Sequence, residues 1–149
     1  MVKKFLIDTN VMLDILFKRE PFYDHSRYAL ELIVNSDSKA CVSVQSMSDI
    51  FYLVSKNKTQ AGSWRAIEKM SLLFEIIGIT ADDSMDVLCS DFNDYEDGLI
   101  AFSAKRNGVD AIITRNEKDF FESDLLLINP KEIDKYIGHH VETDRIVIE

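Results

Sequence analysis

The sequence has few of the residues on which many well-known protein sites depend. It contains two cysteines, Cys41 and Cys89, and three histidines, His25, His139 and His140. Because the cysteines lack metal-ligand spacing, we expect neither a disulfide framework nor a zinc site, and a reducing cytoplasm is the expected environment. No Ser–His–Asp arrangement is recognisable and no glycine-rich phosphate loop occurs, which argues against those two kinds of enzyme.

Basic charge and long apolar runs are also scarce. Lys and Arg number 17 against 26 Asp and Glu, and the formal net charge is −9. A general nucleic-acid coating protein needs a basic surface, so we do not expect one here. An enzyme that handles a phosphodiester through bound cations and a few local bases remains compatible with this charge. The apolar runs are far shorter than the roughly 20 residues of a membrane span, and the first ends too early, at Asp8, for a signal peptide.

The sequence does contain an alternation of short apolar runs with longer helical periods. Its 149 residues, 46% of them hydrophobic, suit one globular domain. Short runs without strict alternation are typical of strands covered on both faces; they lie at Lys3–Ile7, Ala40–Ser43, Glu75–Ile79, Asp110–Thr114 and Leu125–Ile128. Helical spacing occurs between them, as in Met47, Ile50, Phe51 and Val54. This order predicts an α/β domain with a parallel sheet.

Two further segments bear on assembly. The segment around Trp64–Ile77 has apolar residues on more than one face, which indicates either deep burial or a dimer interface. After Pro130, Lys131–Ile137 has the pattern of a short last helix, and residues 139–149 form a tail. In this tail Arg145–Ile148 are compatible with an extra strand, a partner-binding arm or a disordered end, and the two histidines are compatible with metal binding or simple solvation.

The candidate site begins with two acids at the ends of predicted strands. Asp8 follows Phe5–Ile7, and Asp119 follows the run that ends at Ile113. If these strands are parallel neighbours, both acids emerge at the carboxyl edge of the sheet, where α/β domains bind ligands. The alternative for Asp8 is a helix cap. Asp119 is equally compatible with a turn-forming role.

Two more acids lie on predicted helices. Asp97 shares a helical face with Ile100 and Ala104, although it also fits a capping box with Asp94. Asp49 has Tyr52 and Leu53 as helical neighbours, which is an unusual place for an unpaired acid. The competing interpretation is a partly exposed acid in a first turn. Asp14, on the first helix, is expected to face solvent.

Carboxylates gathered at one edge need a compensating cation. Two of them about 5 Å apart repel by roughly 3 kcal/mol at an effective dielectric near 20. Mg²⁺ and Mn²⁺ prefer oxygen ligands, and such an ion also lowers the pKa of a bound water. The acids therefore predict a divalent-metal site.

Four motifs resemble the PIN-domain ribonucleases in their order and spacing. They are Phe5–Val11 (FLIDTNV), an acid at Asp49 after Cys41–Ser43, Asp94–Asp97 (DYED) and Ile113–Phe120 (ITRNEKDF). The resemblance covers residues 3–137, and the most similar branch includes VapC-type toxins of bacterial toxin–antitoxin pairs. It implies a three-layer α/β/α sandwich around a parallel sheet of about five strands, with residues 1–138 as the nuclease domain.

The resemblance also implies roles for the site residues. Asp8, Asp97 and Asp119 would bind one or two Mg²⁺ or Mn²⁺ ions, and Asp49 would orient or deprotonate the attacking water during RNA hydrolysis. Hydrogen bonds to water or phosphate would come from Thr9, Asn10, Thr114 and Asn116. Arg115 would guide the RNA backbone, or else pair with a surface acid. An antitoxin and a second copy of the chain are the implied partners.

The sequence departs from the family pattern at two positions. Asp49 stands where the family usually has glutamate, and Asn116 where many relatives have aspartate. An alternative is therefore a binding module that has lost activity. A haloacid-dehalogenase-like phosphohydrolase also begins with an aspartate after a strand, but it needs a second aspartate where this chain has Asn10.

Overall fold

A computed structural model of the chain describes residues 2–138 and 145–148. Its elements are β1 (Lys4–Ile7), α1 (Thr9–Leu16), α2 (Tyr23–Val34), β2 (Lys39–Ser43), α3 (Val44–Asn57), α4 (Gln60–Leu73), β3 (Glu75–Ile77), α5 (Ala81–Leu88), α6 (Tyr95–Arg106), β4 (Ala111–Ile113) and β5 (Leu126–Ile128). Two 3-10 helices, Glu117–Ser123 and Pro130–Lys135, follow β4 and β5. The predicted strands are confirmed with small shifts at their ends, whereas the predicted last helix is a 3-10 helix.

The five strands form one parallel sheet in the order β3-β2-β1-β4-β5. β1 is central, and Ile7 at its end is aligned with Ile113 at the end of β4. The residues that follow these strands, Asp8 and Thr114, are therefore neighbours at the carboxyl edge. This is the edge that the sequence predicts for the site.

Helices cover both faces of the sheet, which explains the nearly continuous apolar strands. Phe5 and Ile7 pack with α1, α2, α3 and α4 in one core cluster. Leu6 lies in the opposite cluster, where it packs with residues of α6. Because alternate residues of β1 are buried on opposite faces, both faces of the sheet are shielded from solvent. The fold is the predicted three-layer α/β/α sandwich.

Two glycines set the position of α6. A Cβ atom at Gly98 would lie 2.7 Å from Cγ1 of Val87, so glycine permits the close approach of α6 to α5. At the other end, Gly108 has a φ of +71°, the left-handed conformation that commonly follows a helix end. The first turn of α6, which carries Asp97, is held in place by the contact at Gly98.

The described end of the tail packs on α2 and forms no strand. Asn35 Oδ1 accepts the N–H of Ile146 at 2.8 Å, and Asn35 Nδ2 donates to the carbonyl of Ile146 at 2.8 Å. Ile148 is buried in the larger core cluster. Of the alternatives for Arg145–Ile148, the extra strand is thus not found, and His139 and His140 lie outside the described residues. No helix in residues 2–138 or 145–148 is long and apolar enough to cross a membrane.

Candidate metal centre

A cleft of about 360 Å³ at the carboxyl edge of the sheet brings four acidic residues together. We call it the acidic cleft, and it is lined by Asp8, Thr9, Asn10, Leu13, Asp49, Tyr52, Leu53, Glu96, Asp97 and Ile100. The acids come from the end of β1, from α3 and from α6, which are distant in sequence. Three of them were predicted, whereas Glu96 was missed.

Asp8 is anchored by neighbours on β4. Its N–H donates to the carbonyl of Ile113 at 3.0 Å, and its Oδ2 accepts the hydroxyl of Thr114 at 2.9 Å. The residue occupies the N-cap position of α1, but its side chain does not form a cap hydrogen bond. Burial raises the pKa of Asp8, and the hydrogen bond from Thr114 opposes that rise. The backbone N–H of Thr9 also favours the ionised carboxylate. Because the Asp8 side chain lines the cleft, its carboxylate remains accessible to a ligand there.

Asp97 lies in the first turn of α6 and faces other acids. Asp94 is the N-cap, because its Oδ1 accepts the N–H of Asp97 at 3.0 Å. Half of the predicted capping box is therefore present, and the Asp97 side chain lines the acidic cleft. Burial and then the charges of Asp94, Asp119 and Asp8 raise the pKa of Asp97 to about 7.

Asp49 is paired with the residue that the sequence analysis missed. It is half-buried in the second turn of α3, beyond the first turn of the alternative interpretation. Although part of Glu96 is exposed, partial burial and a hydrogen bond to Asp49 raise the pKa of Glu96 to about 7. The DYED motif could have indicated Glu96, since this residue directly precedes Asp97 in the first turn of α6. Spacing alone did not show which acid reaches across to α3.

The remaining predicted residues lie around the cleft rather than in one group. Asp119 is exposed on the 3-10 helix after β4; it does not line the cleft, but its charge raises the pKa of Asp8 and of Asp97. Thr9 lines the cleft and its hydroxyl lies 2.6 Å from that of Ser46. Asn116 donates its N–H to Thr114 Oγ1 at 3.0 Å and lines a different cleft.

Arg115 forms an ion pair with the buried Asp14, so the expectation that Asp14 faces solvent is wrong. The Asp14 side chain is 0% exposed, and its Oδ2 lies 2.8 Å from Nε of Arg115. A second contact joins Arg115 Nη2 to Asp14 Oδ1 at 3.3 Å, and the guanidinium lies 4.1 Å from the centre of the Phe22 ring. Arg115 therefore links the loop after β4 to α1.

The donor chemistry of the acidic cleft fits a hard divalent cation. Its carboxylate oxygens are the ligands that Mg²⁺ and Mn²⁺ prefer. Burial is the main cause of the raised pKa values of Asp8, Glu96 and Asp97, and neighbouring carboxylates raise each of these pKa values further. Within residues 2–138 and 145–148, however, no three His, Cys, Asp or Glu side chains are close enough to hold one ion as they stand.

Family comparison agrees with this architecture. Residues 4–118 match the model of the PIN domain, so the chain belongs to the PIN-domain family. No curated protein matches the chain.

Solved structures show the same fold at low sequence identity. One similar structure is VapBC2 from Rickettsia felis, which was solved with a DNA fragment from its promoter. The match to one of its chains has a TM-score of 0.68 and 22% sequence identity, and it covers 85% of this chain and 98% of that chain. A chain of FitAcB from Neisseria gonorrhoeae has a TM-score of 0.65 and 20% identity, with coverages of 85% and 97%. VapC20 from Mycobacterium tuberculosis, a toxin that cleaves the sarcin–ricin loop, has a TM-score of 0.65 and 11% identity, with coverages of 82% and 96%.

Proposed function

We propose that the chain is a divalent-metal-dependent endoribonuclease. The observation that carries this proposal is the set of four acidic residues lining one cleft, with the pKa values of Asp97 and Glu96 raised to about 7. A cation would stabilise such a cluster, because burial and neighbouring carboxylates both raise the cost of ionising these acids. Family membership supports nuclease chemistry, and the RNA-cleaving toxin among the similar folds supports an RNA substrate.

Each acid has a proposed role. Asp8, Asp97 and Asp119 hold Mg²⁺ or Mn²⁺, with Asp119 entering from the margin of the cleft. Asp49 and Glu96, which share a hydrogen bond, orient the attacking water and accept its proton. A bound divalent ion would supply Lewis acidity toward the phosphate and lower the pKa of water.

Neutral residues complete the proposed site. Thr9 and Asn10 line the cleft and offer hydrogen bonds to water or to a phosphate oxygen. Thr114 acts through Asp8, whose carboxylate it orients. Asn116 and Arg115 sit on the adjoining loop, where Arg115 is committed to Asp14. We therefore assign Arg115 a positioning role in place of the RNA contact that the resemblance implies.

The test compares RNA cleavage by the wild-type chain and by Asp8→Asn. Fluorescent single-stranded RNA is incubated with each protein in Mn²⁺, and products are resolved by size. We expect cleavage by the wild type, loss of cleavage in Asp8→Asn, and equal or higher thermal stability of the variant. Full cleavage by Asp8→Asn would remove this residue from the mechanism. Asp86→Asn, an exposed acid on α5, is the matched control.

We also propose that the chain is a toxin whose partner is a small antitoxin protein. The similar folds include chains from toxin–antitoxin complexes, one of them from Klebsiella pneumoniae. Expression of the chain alone in the bacterial cytoplasm is then expected to arrest growth, and co-expression of the protein encoded beside it is expected to restore growth. Growth unaffected by the chain would oppose the toxin role but leave the nuclease proposal standing.

A homodimer is the proposed assembly. On α4, Trp64 is 62% exposed and Leu72 is 82% exposed, so deep burial does not account for the apolar residues of this helix. Two copies packed through these side chains would cover them. Sedimentation of the wild type and of Leu72→Glu is expected to show a dimer and a monomer, and a wild-type monomer would overturn this assembly.

A binding module without catalysis is the second candidate, and one observation favours it. No three candidate ligand side chains in the described part of the chain stand close enough to hold one ion. Calorimetric titration with Mn²⁺ beside an RNA cleavage assay separates the two functions. Metal binding without cleavage at any Mn²⁺ concentration would favour the binding module.

A further inference from the structure

A second cleft at the carboxyl edge of the sheet has the opposite character. We call it the Lys131 cleft; its volume is about 450 Å³, and it is lined by Pro21, Phe22, His25, Ser26, Arg115, Asn116, Asn129, Pro130 and Lys131. None of these lining residues is an acid, although the chain has 26 Asp and Glu. Asn116 follows β4 and Asn129 follows β5, so this cleft lies beside the acidic cleft on the same edge.

The first turn of α2 forms one wall of the Lys131 cleft. The helix has Phe22 at its N-cap position, and no side chain caps the first-turn N–H groups. The N–H groups of Tyr23 and Ser26 donate to the carbonyls of Arg19 and Phe22. Among the described residues the N–H groups of Asp24 and His25 have no such acceptor, and together with the positive end of the helix dipole they favour an anion. Asp24 lies in this first turn and offsets part of the dipole, but it does not line the cleft.

A buried serine hydroxyl in the same wall has no hydrogen-bond partner in the described part of the chain. Ser26 is 1% exposed, and its Oγ forms no hydrogen bond with the described residues. Buried hydroxyls in proteins are nearly always hydrogen-bonded, because an unpaired one costs its full desolvation energy. Ser26 lines the Lys131 cleft, so a ligand in that cleft is the natural partner for its hydroxyl.

The other polar groups of the Lys131 cleft are mainly donors. Lys131 is exposed, and its amine forms no ion pair within residues 2–138 and 145–148. Asn129 Oδ1 accepts the N–H of Lys131 at 3.2 Å, which leaves the Asn129 amide group to donate. The charge of Arg115 is balanced by Asp14, so Lys131 supplies the uncompensated positive charge.

We propose that the Lys131 cleft binds a backbone phosphate of the RNA substrate next to the scissile one. Two N–H groups in the first turn of α2, the Ser26 hydroxyl, the Lys131 amine and the Asn129 amide are donors matched to phosphate oxygens. Neighbouring strands lie roughly 4.8 Å apart, which places the end of β5 about 10 Å from the end of β1 and Asp8. Adjacent phosphates of one strand can reach both clefts. This inference rests on the proposed ribonuclease function and adds a substrate-positioning site to it.

RNA binding without cleavage provides the test. Each protein carries Asp8→Asn and is kept in EDTA, and anisotropy measures its binding to a labelled single-stranded RNA and to DNA of the same sequence. Lys131→Gln is expected to weaken binding and to reduce the salt slope of log K by about 0.7, the value for one phosphate contact on a single strand. Lys105→Gln, an exposed lysine on α6, is the matched control and is expected to leave the slope unchanged.

Ser26→Ala tests the buried hydroxyl independently. We expect about tenfold weaker RNA binding, because the variant loses a hydrogen bond to a charged oxygen. Its thermal stability is expected to be equal or higher, since an unpaired buried group is removed. A hydroxyl with a purely structural role would instead lower stability and leave binding unchanged.

The outcomes separate this inference from the proposed function. Equal RNA binding by the parent, Lys131→Gln and Ser26→Ala would overturn the phosphate site. A loss of affinity for RNA without a loss of affinity for DNA would also overturn the phosphate site, because a phosphate contact does not need the 2′-hydroxyl. If the wild type cuts no RNA in Mn²⁺ while these variants still weaken binding, the ribonuclease proposal fails and the phosphate site stands.

Discussion

The hydroxyl of Thr114 donates a 2.9 Å hydrogen bond to Oδ2 of Asp8, joining residues that are 106 positions apart. Thr114 is fully buried, and its Oγ1 also accepts the N–H of Asn116. One hydroxyl thus fixes the Asp8 carboxylate and the loop after β4 together. The hydrogen bond also favours the ionised form of Asp8 against the effect of burial.

Thr114→Val is expected to weaken metal binding without unfolding the chain. Valine keeps the shape of threonine but removes the donor, so the pKa of Asp8 rises further and the carboxylate loses its fixed orientation. We expect about tenfold lower Mn²⁺ affinity, in the range found when a residue that orients a metal ligand is changed. Calorimetric titration at pH 7 measures the change. Thr114→Ser retains the hydroxyl and is expected to bind Mn²⁺ as the wild type does; equal affinity of Thr114→Val would contradict this role.

Asp97→Asn is expected to stabilise the metal-free protein in a pH-dependent manner. Burial and neighbouring acids raise the pKa of Asp97 to about 7, whereas aspartate in an unfolded chain titrates near 3.9. The folded state therefore binds this proton more tightly. The resulting stability is fully present below about pH 4 and is lost as the pH rises through about 7. Asparagine does not ionise and avoids this loss, so the variant is expected to be more stable than the wild type at high pH.

Thermal unfolding in EDTA measures this effect. At pH 8 we expect Asp97→Asn to raise the free energy of unfolding by about 1 kcal/mol, which corresponds to about 3 °C in Tm. The effect is small because Asp97 is only half-buried, so solvent screens its charge. At pH 4.5 most of the difference is expected to disappear. Asp86→Asn, which is exposed, is expected to show no such dependence. An equal gain for Asp97→Asn at both pH values would show that charge is not its cause.

Glu96→Gln tests the acid that the sequence analysis missed. The variant retains the size of the side chain and a hydrogen-bond donor toward Asp49 but cannot accept a proton. If Glu96 and Asp49 accept the proton of the attacking water together, kcat for RNA cleavage is expected to fall by about 10²-fold with little change in KM. Glu68→Gln, an exposed position on α4, is the control. A rise in KM at constant kcat would instead give Glu96 a role in binding RNA.

The predictable part of the molecule was encoded locally. Continuous apolar runs such as Phe5–Ile7 identified strands, because both faces of the sheet are covered. Acids that follow or flank these elements marked Asp8 and Asp97, and both line the acidic cleft. Even the cap at Asp94 was visible in the sequence, because capping acts within one helical turn.

The rest depended on contacts between distant segments. Asp14 was expected to face solvent, since nothing near it in sequence indicates that Arg115, 101 residues away, neutralises it. Glu96 lines the acidic cleft because the first turn of α6 lies beside Asp49 on α3, and the spacing of residues within one helix does not reveal such a contact. The tail was likewise compatible with a strand, but its Ile146 backbone is hydrogen-bonded by the side chain of Asn35, the C-cap residue of α2.

Arg115→Met is expected to destabilise the fold by about 3 kcal/mol, the scale for leaving a buried charge without its main partner. Asp14 is 0% exposed, and without Arg115 its nearest cation is Arg19, at 3.8 Å. The double variant Arg115→Met/Asp14→Leu removes both charges and is expected to recover most of this loss. Urea unfolding measures the free energy of unfolding of the wild type and of both variants. Glu132→Gln, which breaks an exposed ion pair with Lys135, is the control and is expected to change this free energy by less than about 1 kcal/mol. If Arg115 instead contacts RNA through its charge, Arg115→Met would raise KM for cleavage and leave the free energy of unfolding unchanged.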